Sequence, residues 1–143
     1  MRQTRVYLPL SRAAVVGLAA TRVVAGPVLT AYAVTQELER ANPDADEEDL
    51  EYLALGAAAE AAAAIREQPA DRRVVLAADV EPEWVERPHT SGPSSQVRLT
   101  EDVPLRLVVS FHVDEAGAAP GPGEGDLLWY DATELDEVAR MFR

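Results

Sequence analysis

The clearest hydrophobic signal in the chain is the period-two alternation of Leu105 to Val113 (LRLVVSFHV). In an extended strand Leu105, Leu107, Val109, Phe111 and Val113 point one way, and Arg106, Val108, Ser110, His112 and Asp114 point the other. Three further runs read as strands. Arg5 to Leu10 (RVYLPL) is β-rich and stops at a proline, Val28 to Thr35 follows the punctuation of Gly26-Pro27, and Arg73 to Val80 is an apolar run bounded by charge. Shorter extended stretches are expected at Val97 to Leu99 and Leu127 to Tyr130.

A different period runs through the segment after Asn42. Apolar residues recur at Leu50, Leu53, Ala54, Ala57, Ala61, Ala64 and Ile65, one stripe of a helix that ends before Pro69. Asn42 is placed as its N-cap and Pro43 as its first residue, with Asp44, Asp46, Glu47, Glu48 and Asp49 offsetting the positive end of the helix dipole. The stripe is mostly alanine, so the helix is expected to lie close against its neighbours. Ser11 caps a shorter helix through Ala20 with Val15, Leu18 and Ala19 on its buried side, and helix and strand both fit Gln36 to Ala41, with helix favoured. Asp131 with Glu134 makes a capping-box-like start to a last helix ending near Phe142. Glu81 to Ser95 is read as a connection, and the Gly/Pro-rich stretch 116–126 (AGAAPGPGEGD) as a mobile surface loop. The order β-α-β-α-β-β-β-β-α predicts one α+β domain over residues 1–143, a mixed β-sheet covered by helices.

Alternation also nominates a face. Arg5, Tyr7 and Pro9 share one side of the first strand, and Thr30 and Tyr32 share one side of the second. If these sides coincide with that of Ser110 and His112, then Tyr7, Thr30, Tyr32, Ser110 and His112 form a polar sheet surface. Such a surface could bind a small ligand, with His112 moving a proton and the tyrosines supplying hydrogen bonds. The structural alternative is a half-exposed sheet face, or a core whose polar tips are satisfied by backbone. Trp84, Trp129 and Tyr130 are read as either core anchors or interface anchors, and core is expected for Trp129 and Tyr130 on the last strand.

Composition narrows the chemistry. The 143 residues carry 25 acidic and 13 basic side chains, a net charge of −12 that repels both nucleic-acid phosphates and anionic membranes. All thirteen basic residues are arginine, which removes lysine Schiff-base and P-loop chemistry. No cysteine is present, so disulfides, thiol catalysis and thiolate metal sites are excluded together. The acidic stretch from Asp44 fails the EF-hand pattern, since Asp49 stands where glycine is needed and Leu55 where glutamate is needed. His89 and His112 belong to no HExxH spacing, and no serine lies in a G-x-S-x-G context. Glu60, alone among alanines, is read as pointing past them to water, with a perturbed basic carboxylate as the alternative. No catalytic residue, metal site or cofactor is assigned. With no apolar run near the roughly 20 residues needed to span a bilayer and no signal-peptide h-region, the expected location is cytoplasmic.

The segments VYLPL (Val6 to Leu10), TAYAVT (Thr30 to Thr35), EDLEYLAL (Glu48 to Leu55), RRVVLAADV (Arg72 to Val80), FHVD (Phe111 to Asp114) and LLWYD (Leu127 to Asp131) together resemble a family of small uncharacterised actinobacterial proteins. The resemblance covers most of the chain. It implies a stand-alone cytoplasmic protein from a GC-rich bacterium and brings no activity, cofactor or catalytic residue with it.

Two functions from different classes follow. The favoured expectation is a non-enzymatic protein-binding or regulatory module, motivated by the missing catalytic motifs, the acidic helix start and the mobile loop 116–126, with a protein partner of basic or apolar character. The alternative is a small-molecule-binding protein or enzyme using the His112, Tyr7 and Tyr32 face. Homo-oligomerisation through the alanine stripe or the last strand is compatible with either.

Overall fold

The computed structural model describes residues 3–26, 29–88, 91–115 and 127–142. The stretch 116–126 and His89 lie outside the described residues, so the loop expectation falls there too. Among the described residues nine strands form: β1 (Thr4–Leu10), β2 (Val23–Val24), β3 (Leu29–Tyr32), β4 (Val74–Val80), β5 (Val85–Glu86), β6 (Gln96–Leu99), β7 (Val103–Pro104), β8 (Val108–Asp114) and β9 (Leu127–Asp131). The helices are α1 (Arg12–Thr21), α2 (Gln36–Ala41), α3 (Glu47–Ala64) and α4 (Leu135–Arg140).

Seven strands make one sheet in the order β5-β6-β3-β1-β4-β8-β9, and β2 pairs with β7 in a separate ribbon. The α+β class is as expected, but the sheet anticipated as mixed is antiparallel at every pairing. The reason is topological. β3 and β4 run in the same direction and are joined by a helical crossover, as parallel neighbours would be. β1 sits between them and pairs antiparallel with both.

Helices cover both faces. On one, α1 and α4 enclose the main core, where Val6, Leu8, Val74, Leu76, Phe111 and Val113 meet Val15, Leu18, Leu135 and Val138. On the other, α3 lies over β1, β3 and β4 and packs Ala54, Ala58, Ala59 and Ala62 against Tyr7, Tyr32, Val75 and Ala77. The alanine helix was expected to sit close, and it does. Its buried ladder is Leu50, Ala54, Ala58 and Ala62, whereas Leu53, Ala64 and Ile65 of the expected stripe are exposed. Glu60 is exposed, as the water-facing reading required.

The start of α3 also differs. Asn42 closes α2, donating its backbone N–H to Leu38 and Glu39 carbonyls, and the N-cap of α3 is Asp46. Asp46 and Asp49 exchange side-chain-to-backbone hydrogen bonds, and this reciprocal pair satisfies two orphan donors where Asn42-Pro43 would satisfy one. In β8 the strand is shorter than its alternation suggested, because Leu105–Leu107 form a 3₁₀ turn after Pro104. A bulge opposite Ala77/Ala78 then turns Val108 into the Phe111 core, away from His112.

Candidate functional site

The five nominated residues share one face of the sheet, and register explains why. Tyr7 lies opposite Tyr32 on one side and Ala77 on the other, Ala77 lies opposite Ser110, and Ser110 opposite Asp131. Residues directly opposite point the same way, so this row crosses the sheet on a single face. His112 stands on that face two residues beyond Ser110, paired with Val75 and Trp129. Thr30 precedes Tyr32 by two and pairs with Arg98.

Sharing a face does not bring all five together. β1 and β4 separate β3 from β8, and with strands spaced at about 4.8 Å the gap is about 14 Å. The set divides into three places. Tyr7 and Tyr32 are adjacent beneath α3 and only 6% and 7% exposed. Thr30 is exposed at the corner where Arg98 forms an ion pair with Glu86. Ser110 and His112 occupy the β8 flank, beyond the strands that α3 covers.

Sequence alternation placed Arg5 on this face but did not bring out the charges around Tyr7. Arg5 grips the carboxylate of Asp79, its direct cross-strand partner, through Nε at 2.6 Å and Nη2 at 3.2 Å. Burial raises the Tyr7 phenol above its ordinary value, and the negative charge of Glu51 on α3 adds to the effect while Arg5 opposes it. Tyr32 is raised by burial as well. Both phenols are therefore neutral donors at neutral pH.

On the flank, Ser110 Oγ and His112 Nε2 are 3.1 Å apart and share one hydrogen bond whose direction follows the imidazole tautomer. Burial lowers the His112 pKa below its ordinary value, and the positive charge of Arg5 lowers it further. The ring is thus neutral near pH 7 and able to take a proton. Among the described residues no carboxylate bonds this ring, so the pair lacks the orienting member of a triad. Nor, among them, do three His or carboxylate side chains gather as a metal would need.

Trp129 is the finding that sequence reasoning missed. It was expected in the core, yet it is 61% exposed, beside His112 on the flank of this face beyond the strands that α3 covers. Its neighbour Leu128 is 41% exposed, while Tyr130, on the other face, packs against the main core as expected. The signal was present in the spacing of β9, since Trp129 and Tyr130 alternate and only one can enter the core. What spacing could not show is that β9 ends the sheet among the described residues.

A cavity of about 510 Å³ lies at the opposite edge, lined by Thr35, Glu37, Glu86, Arg87, Ser94 and Gln96 among others and by none of the five nominated residues. Its charges are mutually engaged, Glu37 with Arg87 at 3.6 Å and Glu86 with Arg98. No helix among the described residues is long and apolar enough to cross a membrane.

The model of a family of unknown function, DUF6912, covers residues 4–139, from the first strand to the last helix, and the chain belongs to that family. No curated protein and no solved structure matches it.

Proposed function

We propose that this member of the family is a non-enzymatic protein-binding module of the cytoplasm, and that its partner docks on β9. One observation carries the reading. Trp129 and Leu128 expose large apolar side chains on a strand that has β8 on one side and no described strand on the other. Exposed aromatic side chains next to unpaired backbone are the usual makings of an interface, because indole burial and ladder hydrogen bonds are gained in the same event. The test is paired affinity capture from source lysate with the tagged full chain and its Trp129→Ala variant, after circular dichroism has shown equal folding. A stoichiometric protein retained by the parent and lost by the variant supports the reading. Equal capture by both, or none by either, refutes it.

A second reading keeps the small-molecule site and confines it to the flank. It rests on the Ser110–His112 hydrogen bond at the uncovered part of the face. A ligand there would reach His112 from the β9 side and meet the Tyr7 phenol only across Ala77. His112→Ala that stays folded and loses a bound metabolite supports this reading; native mass spectra of the parent free of any metabolite count against it.

A further inference from the structure

We infer that the segment docking on β9 is an extended, arginine- or lysine-bearing strand that lengthens the seven-stranded sheet by one. The inference rests on the docking reading above and adds the chemistry of the partner. Three observations support it.

First, the strand itself carries no guard, and no described strand covers its outer edge. Natural edge strands are blunted by proline, lysine, bulges or an inward charge, and LLWYD has none of these before Asp131. Its pairing with β8 is regular from Ser110–Asp131 to Asp114–Leu127, so the backbone it presents outward is straight enough to continue a ladder. Second, the surroundings are acidic. Residues 127–142 hold Asp131, Glu134, Asp136 and Glu137 against the single Arg140, and the chain as a whole carries −12. Asp136 and Glu137, in the first turn of the helix that packs beside β9, are exposed. An acidic strand approaching this edge is repelled, and a second copy of the chain brings another −12 with it. A basic strand is attracted and oriented. Third, alternate residues of an added strand fall on the Trp129 face, where the exposed indole offers its π face to a guanidinium or ammonium group.

The probe is a fluorescent synthetic heptapeptide alternating Val with Arg, titrated into the full chain. The control peptides are its Glu-for-Arg counterpart and a version N-methylated at alternate residues, which keeps charge and side chains but removes ladder donors. Anisotropy measures affinity, and hydrogen exchange locates the site. The expected result is binding of the basic peptide, weakened about tenfold or more between roughly 50 and 300 mM salt. N-methylation and Trp129→Ala are each expected to weaken it about tenfold. Exchange should slow at the β9 amides and not across the acidic start of α3.

Binding of the acidic peptide equal to the basic one overturns the inference, as does indifference to N-methylation or protection spread over all acidic surfaces. So does a concentration-dependent dimer with β9 amides protected in the absence of peptide, which assigns the edge to a second copy. A cellular partner that needs Trp129, with peptides that do not bind, refutes the basic-strand chemistry and leaves the docking reading standing. Loss of both results removes both.

Discussion

Adjacent residues of β8 should differ sharply in what they contribute, and the pair Phe111 and His112 tests the face assignment. Phe111 has no exposed surface and sits among the side chains that α1 and α4 bring to the main core. Truncation to alanine removes an aromatic ring from a site closed on every side, which costs about 3–5 kcal/mol. A domain of this size has a total stability of about 5–15 kcal/mol and an unfolding entropy near 0.3 kcal/mol/K, so the melting temperature should fall by about 10–17 °C. His112→Ala removes a half-buried ring and leaves Ser110 Oγ, on a residue only 3% exposed, without its partner. That loss is about 1–2 kcal/mol, or about 3–7 °C. The assay is urea unfolding followed by tryptophan fluorescence and far-UV circular dichroism, with thermal melts in parallel. Equal losses for the two variants, or a cost below about 1.5 kcal/mol for Phe111→Ala, would refute the assignment of the two faces.

Three further outcomes are expected. Arg73 binds the Asp114 carboxylate through its backbone N–H at 2.8 Å and through its guanidinium. Burial pushes the Asp114 pKa up, but these bonds outweigh it and hold the group below the usual carboxylate range, so its stabilisation is complete above about pH 4 and is lost as pH falls through the depressed value. The stability gap between the parent and Asp114→Asn should therefore narrow between pH 7 and pH 3, and urea titrations showing a constant gap would contradict it. His112, lowered by burial and by Arg5, should titrate below about 6.5 in an NMR series. The unfolded chain takes up that proton first on acidification, so stability should decline from about pH 6.5 down to the folded midpoint, a slope absent from His112→Gln. Ala58→Leu on α3, fully buried against the tyrosine pair, should cost about 1–3 kcal/mol by overpacking, and a neutral or stabilising result in calorimetry would reveal unfilled space there.

Legibility in the sequence followed the strength of each local signal. Period-two alternation in β8 and the capping residues Ser11 and Asp131 were sufficient to locate their elements. Two-residue strands such as β2, β5 and β7 carry no period at all, and their existence depends on partners far along the chain. The start of α3 offered several capping residues, and the choice of Asp46 over Asn42 came from a side-chain exchange that single-position rules do not weigh. Alternation showed which of Tyr7, Thr30, Tyr32, Ser110 and His112 share a side within each strand, and the register of the strands made those sides one face. Its division into a covered half and an open flank was not legible, because that depends on where α3 lies across the sheet. Trp129 shows the same limit. Its residue type argues for burial, and only the strand order places it at an edge.

The placement of β1 between β3 and β4 has a consequence for how the chain is made. β1, made before the other described strands, has its second neighbour at Val74–Val80, and the helix that follows it packs on α4. Arg12, at the start of that helix, bonds both Asp71 and the carbonyl of Phe142. Early segments therefore wait for late ones, and the long sequence separations slow closure compared with a fold built from neighbours. Until α4 emerges, Val15 and Leu18 have no cover on that side, so nascent chains should stay protease-sensitive until residues 135–142 have been made. The domain is closed by α4, and deleting its helix and the residues around it should cost far more than the loss of as many residues of surface.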